Sequence, residues 1–311
     1  MIVSSKVTAV FHQKPLLTYL AGRFTYQTSE VWQARIEAGE VTCNGRTATP
    51  QHIVRQGDVI ACDLPDPPMP DVNLDYQIVY QDNWLLAVNK PGNLKVHGHG
   101  RFIKANLVYQ LRHNHTPPYP KATLINRLDR DTSGVVLLAR DADTLRHVQA
   151  QFAERTVQKT YLAVVHGIPE WQSREVDLPI DRLPSAEGVY RYGVMAEGKP
   201  AQTLVELVRP FPPHHALVRL TPKTGRTHQL RVHLAAIGHP IVADKRYGID
   251  DEAVRTENGR LLLTRQALHC AATQFQHPQT GSDCTITAPL PADLQALLQY
   301  GQQRSRLFIT S

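Results

Sequence analysis

Between Ser29 and Gly39 the apolar residues Val31, Trp32 and Ile36 fall at the steps that bring side chains onto one helical face, with Ser29 as the expected cap and Gly39 as the expected stop. The next apolar run, Val41-Thr42-Cys43, meets Asn44-Gly45, the pair that most favours a two-residue hairpin turn, and Asp58-Val59-Ile60 supplies a further short strand. Trp84 to Val88 and Val135 to Ala139 are unbroken apolar runs of strand length, expected to be buried on both faces. Asp143 is the expected cap of a helix carrying Leu145, Val148 and Phe152. Lys159 to His166 reads as a strand ended by Gly167-Ile168-Pro169. Thr227 is the expected cap of a later helix with Leu230, Leu234 and Ile237 on one side and Gly238 past its end. Strands and helices mix without a regular βαβ alternation, which favours an α+β fold over a doubly wound sheet.

The segment Asp63 to Tyr76 holds four prolines and no apolar period, so it reads as a stiff linker. The division expected is a small module over 1–70, a linker over 71–76, a larger domain over 77–300 and a C-terminal tail over 301–311. A chain of 311 residues is long enough for both domains. A helix is also expected after Pro291, fraying into that tail.

Composition narrows the partners. No stretch approaches the roughly 18 consecutive apolar residues of a membrane span. The start, MIVSSKVTAVF, is too short and polar for a secretory signal, so a cytoplasmic protein is expected. Cys43, Cys62, Cys270 and Cys284 form no CxxC pair, which argues against a zinc site or a disulfide framework. Net charge is +6, and its placement matters more than its size. From Gly98 to Arg127 there are five basic residues and no acidic one; from Leu207 to Tyr247 there are seven against Asp244 alone. Such segments suit the walls of a groove for phosphate backbone.

Three segments carry chemistry. Asn126-Arg127-Leu128-Asp129-Arg130-Asp131-Thr132-Ser133-Gly134 precedes the apolar run from Val135, which would hold this polar cluster at the edge of a cleft. Lys159-Thr160-Tyr161 opens the next strand. Thr224-Gly225-Arg226-Thr227-His228-Gln229-Leu230-Arg231-Val232-His233 places arginines in or before the first turn of a helix, where they oppose its dipole by roughly 0.3 to 1 kcal/mol each. An anion or a carboxylate partner would explain Arg226 and Arg231 there.

In this order NRLDRDTSG, KTY and GRTHQLR resemble the motifs of the RluA-type family of pseudouridine synthases, with VYQDNWLLAVNKPGNLKVH, GKPAQT and Leu268-His269 as supporting matches. The resemblance covers Gln77 to about Pro289, and the region before the linker resembles the alpha-L RNA-binding module. It implies a mixed, largely antiparallel sheet with a central cleft, beside a small domain of helices and a hairpin. Asp129 would be the catalytic carboxylate, Arg231 its ion-pair partner and Tyr161 the ring against the target base. Arg127 would help take the place of the flipped nucleotide. Asn126, Thr132, Arg226, His228 and Gln229 would contact RNA around the cleft, and Arg35 and Arg46 would do so from the module. Asn126 stands where the family usually has histidine.

The chemistry implied is a redox-neutral isomerisation that needs neither metal nor cofactor. Uridine loses its bond from N1 to the sugar, the uracil turns, and C5 bonds to the sugar. Asp129 would act either as nucleophile on the sugar or as base at its 2′ carbon; a bidentate arginine would hold it charged and oriented. The expected partner is RNA, large-subunit ribosomal before transfer RNA, bound by a monomer with no obligatory protein partner. The rival reading is a non-catalytic RNA-binding or assembly protein on the same fold. A glycosidase would want a second carboxylate to handle water. His97-Gly98-His99 and His113-Asn114-His115 lack the supporting spacing of a metal or nuclease site.

Overall fold

The computed structural model describes residues 2–63, 69–98, 100–183, 191–249 and 254–309, with side chains as far as residue 304. His99, named above among the metal decoys, lies outside the described residues. The chain divides into two compact units, Met1–Pro70 and Asp71–Ser311.

In the first unit β1 (Ile2–Lys6), β2 (Val41–Cys43), β3 (Arg46–Thr47) and β4 (Val59–Asp63) form an antiparallel sheet in the order β1-β4-β2-β3. Helices α1 (Leu16–Arg23) and α2 (Ser29–Glu37) complete it. Trp32 and Ile36 of α2 bury against Leu16, Tyr19 and Leu20 of α1, together with Val41 and Ile60. Asn44 and Gly45 both take positive φ, 50° and 81°, as the tight hairpin turn requires. Thr28, in extended conformation, holds the cap position expected of Ser29, which is the first helical residue instead.

The second unit is built on a ten-stranded sheet. Its strands are β5 (Gln77–Gln81), β6 (Leu85–Lys90), β7 (Thr123–Leu124), β8 (Ser133–Ala139), β9 (Gln158–His166), β10 (Ser173–Asp177), β13 (Gln202–Phe211), β14 (His215–Pro222), β15 (Leu268–Gln276) and β16 (Asp283–Thr287). A separate hairpin pairs β11 (Ile180–Leu183) with β12 (Arg191–Val194). The main path runs β10-β13-β14-β9-β15-β8-β6-β5, with β16 on β15 and β7 on β8. All these pairs are antiparallel except β8 with β15. Every residue of β8 is buried, and so are Leu85 to Val88 of β6, as unbroken apolar runs require.

The longer helices of this unit are α3 (Ala142–Ala153), α4 (Gln229–Ala236) and α5 (Ala292–Ile309). The cap of α3 is Asp141, whose carboxylate accepts from the Thr144 N–H, so Asp143 falls inside the first turn. The cap position of α4 is His228, in left-handed conformation at φ 57°, rather than Thr227. Residues 301–309, expected as tail, are the second half of α5, whose inner turns bury Leu294 and Leu297. Residues 71–76 are not a free linker either. Val72, Leu74 and Tyr76 pack against the core formed by β6 and β8, so this stretch belongs to the second unit; 64–68 lie outside the described residues.

Candidate active site

Asp129 sits in the turn that leads into β8, and that turn is strapped at every residue that follows it. The Lys90 ammonium donates to the Arg130 carbonyl at 3.0 Å, and to those of Pro91 and Leu94 at 2.7 and 2.9 Å. Arg265 Nη1 donates to the Asp131 carbonyl at 3.0 Å, while the rest of its guanidinium is held two-fold by Asp293 of α5 at 2.7 and 2.9 Å. Gln266 donates to Thr132 Oγ1 at 3.0 Å, and Ser133 Oγ meets His269 Nδ1 at 2.9 Å. Lys90 is wholly buried, and burial lowers its pKa to about 7, with Arg265 pushing the same way. Gly92 is required because a Cβ there would lie 2.1 Å from Arg265 Cδ. Gly134, at φ 115°, is required because a Cβ would lie 2.1 Å from the Cys270 carbonyl oxygen on the adjacent β15. The polar cluster is therefore anchored through backbone carbonyls and buried hydroxyls, which leaves the Asp129 carboxylate, one third exposed, facing the cleft.

Across the cleft stands Arg231 of α4. Its Nη1 donates to Asp129 Oδ2 at 3.0 Å, a single-point contact. The two-point grip expected on Asp129 is made with Asp244 instead, from Nε and Nη2 at 2.7 Å each. Asp244 is fully buried and also accepts the N–H groups of Arg246 and Tyr247. Burial alone would raise its pKa; the hydrogen bonds and charge of Arg231 and the two N–H donors outweigh that, so the carboxyl stays below its ordinary range. Burial would likewise lower Arg231, and the two carboxylates more than reverse it. The Tyr247 ring lies 5.0 Å from the guanidinium. A fixed carboxylate thus orients a fixed arginine, which presents one donor to a more exposed carboxylate.

Tyr161 of β9 borders the same cleft, its phenol raised well above the ordinary pKa by burial and then by Cys270, so it is protonated near neutrality. Lys159 lines the cleft two residues before and is lowered by burial. His228 Nε2 is 3.9 Å from Asp129 Oδ2, and Nδ1 is 2.8 Å from the Tyr247 hydroxyl. Burial, opposed by Asp129 and reinforced by Arg231, lowers the imidazole pKa, so His228 is not a second cation on Asp129 at neutral pH.

The cleft measures about 570 Å³, and Asp129, Tyr161, Arg231, Arg127, Arg226 and His228 all line it. Asn126, Thr132 and Gln229 line it too, each with a polar side-chain atom already engaged within the protein. Gln229 is buried, donates to Gln202 O and Thr203 Oγ1, and accepts from Thr224 Oγ1 and the Arg226 N–H. Thr132 is buried with its hydroxyl oxygen taken by Gln266. Gln229 thereby braces the backbone at Gln202 and Arg226, and the Thr132 hydroxyl is held by the Gln266 side chain. Asn126 Oδ1 accepts the Leu137 N–H at 2.7 Å, which ties the strand β8 to the segment before Asp129. In the first unit Arg35 is drawn into contacts with Glu40 at 2.6 Å and Gln27 at 3.3 Å, while Arg46 is exposed. Cys43, His52 and Asp58 there bring potential ligand atoms within 4.8 Å, but Asn44 and the Arg55 N–H already occupy both Asp58 oxygens.

The partners missed from sequence are Asp244, Lys90, Arg265 and Gln266. Asp244 left a signal as the lone acid in a basic stretch, and Lys90 lies within the supporting match VYQDNWLLAVNKPGNLKVH.

Comparison with known proteins finds RNA pseudouridylate synthases. The sequence profile of RNA pseudouridylate synthase matches residues 84–236. The chain is 39% identical over 218 residues to ribosomal large subunit pseudouridine synthase C of Buchnera aphidicola subsp. Schizaphis graminum, covering 70% of this chain and 68% of that one. It is 36% identical over 276 residues to the protein of the same name from Vibrio cholerae serotype O1, covering 85% of each. Among solved structures, human RNA pseudouridylate synthase domain containing 1 superposes with a TM-score of 0.57 at 26% identity, over 75% of this chain and 97% of that one. Human RNA pseudouridylate synthase domain containing 4 gives 0.54 at 26% identity, over 72% and 92%.

Proposed function

The chain belongs to the RNA pseudouridylate synthase family, and from that premise we propose that it converts uridine to pseudouridine in large-subunit ribosomal RNA, with Asp129 as the catalytic carboxylate. The observation that carries the residue assignment is the chain of contacts Asp244–Arg231–Asp129, in which the outer carboxylate is fully buried and the inner one opens on the cleft. The RNA target rests on the relatives, which are named for the large ribosomal subunit.

The isomerisation breaks N1–C1′, forms C5–C1′, and moves one proton from C5 to N1. Nothing is oxidised or reduced. Asp129 attacks C1′ or removes a proton at C2′; both routes need an ionised, correctly aimed oxygen, which the Arg231 Nη1 contact provides. The uridine must leave its stack, at a cost of a few kcal/mol that stacking and phosphate contacts offset. Tyr161 is the ring that packs against the extruded uracil, and Arg127, Arg226 and His228 face the nucleotides beside it. Incubation with ribosomal RNA followed by mapping of new pseudouridines tests the whole reading. A protein that binds this RNA but forms none would be the assembly factor of the rival reading.

The role of the Tyr161 ring predicts a pattern of affinity. Tyr161→Phe keeps RNA affinity within about twofold, since stacking is retained, whereas Tyr161→Leu loses roughly tenfold, from ~1–3 kcal/mol of stacking per base. Filter binding measures both. Single-turnover rates on Tyr161→Phe then report whether the hydroxyl moves a proton.

The first unit, Met1–Pro70, serves RNA affinity and target choice; the chemistry belongs to the second unit, which has its own buried core. With Arg35 tied to Glu40, the grip falls to exposed cations such as Arg46. Deleting 1–70 raises KM on structured RNA and flattens the slope of log affinity against log salt by about two units. An unchanged slope would assign the unit to protein docking.

A further inference from the structure

Three cations converge on one aromatic ring at the rim of the cleft. Phe102, in the short 3-10 turn Gly100–Phe102, is buried at 6% exposure. Lys95 Nζ lies 4.1 Å from its centre, and the guanidinium carbons of Arg101 and Arg130 lie at 5.2 and 5.3 Å. Lys95 and Arg130 both line the cleft, and Arg130 is the residue that follows Asp129.

Charge within the group is not balanced. Asp131 is 3.9 Å from Arg130 Nε, and Asn93 Oδ1 accepts from the same guanidinium. Among the described residues no carboxylate pairs with Lys95 or Arg101. The Lys95 ammonium is half-buried and held below its ordinary pKa by burial first, and then by Arg130 and Arg101. Like charges of this kind disperse over an ordinary solvated face. Here the negative face of the Phe102 ring gathers them and compensates them in part. Full compensation requires an anion, and two planar guanidiniums beside an ammonium suit the oxygens of a phosphodiester.

We infer that Lys95, Arg101 and Arg130, gathered on Phe102, hold a backbone phosphodiester of the RNA next to the uridine that enters the cleft. This rests on the pseudouridine synthase reading for the identity of the ligand. Arg130 adjoins Asp129 in the chain, so the phosphate gripped is one close to the reacting sugar. Holding the backbone there fixes register while the base swings out.

The test uses the full chain, a structured large-subunit ribosomal RNA fragment, and the double variant Lys95→Gln/Arg101→Gln. Binding is titrated across salt concentrations, with thermal melts to confirm folding. Loss of these charges from one phosphate site lowers the slope of log affinity against log salt by roughly one to two, and raises Kd about tenfold near physiological salt. Lys95→Arg/Arg101→Lys, which keeps both charges, recovers the slope. Arg174→Gln, on the exposed edge strand β10, leaves it as in the wild type. A double variant that melts like the wild type and binds with the wild-type Kd and slope would overturn the inference. A wild-type protein that forms no pseudouridine on any ribosomal RNA overturns the functional reading instead; the binding comparison still decides the phosphate site.

Discussion

Asp129→Asn yields an enzyme that binds RNA within a few-fold of the wild type and forms no pseudouridine. The substitution keeps the side chain's shape, and the amide oxygen can still accept from Arg231 Nη1, which now donates at 3.0 Å to Oδ2. What it removes is the negative charge, and with it both routes to breaking N1–C1′: an amide is neither a nucleophile at C1′ nor a base at C2′. The strap behind the residue is made to the backbone of 130 and 131 and to the hydroxyls of 132 and 133, so it does not depend on the carboxylate. Binding and chemistry therefore separate cleanly at this position. Mass spectrometry of the RNA after long single-turnover incubation, alongside a binding titration, checks both halves. Multiple turnovers by a clean Asp129→Asn preparation would exclude Asp129 as the catalytic group.

Much of this site is legible in the sequence. NRLDRDTSG followed by an all-apolar run placed a charged loop at the mouth of a buried strand, and β8 is buried throughout. The Asn44-Gly45 turn was equally plain, because those residues tolerate the positive φ that a tight hairpin demands. What stayed hidden was long-range. Arg231 and Asp244 are 13 residues apart and lie on no common face of an element, so no period links them. Lys90, Arg265, Gln266 and His269 reach the Asp129 loop from 40 to 136 positions away. Their polar atoms serve backbone or buried hydroxyls, a use that leaves no compositional trace. Thr132 and Gln229 line the cleft, but a motif does not say which of their polar atoms are already spent on Gln266, Gln202 and Thr203. Helix caps shifted by one or two residues, because Thr28 and Asp141 compete with Ser29 and Asp143 for the same role.

The largest effect on stability and rate together is expected at Asp244, a position the motifs do not contain. Arg231 is only 8% exposed and donates to Asp244 twice. Replacing Asp244 by Ala leaves a buried guanidinium with only its single contact to Asp129, which costs about 3–5 kcal/mol. Asp244→Asn retains one acceptor and loses the charge, so it costs less and leaves a folded protein for kinetics. In that variant Arg231 is free to swing toward Asp129 and cover the oxygen that must meet the sugar. A displacement of about 1 Å at this point lowers single-turnover rate on the order of 100-fold, while RNA affinity stays near wild type because Asp244 faces no ligand. The pH dependence distinguishes the charge from the shape. Asp244 is held below its ordinary pKa in the folded protein, against about 3.9 for the unfolded chain. The unfolded state therefore binds the proton more readily. The stabilisation is complete above the unfolded value and is lost as pH falls through the folded one. Urea denaturation should show a constant gap between wild type and Asp244→Asn at pH 6 to 8 and a shrinking gap below about pH 4. A gap that does not narrow in acid would mean that Asp244 contributes packing alone, and that something other than its charge holds Arg231 in line with Asp129.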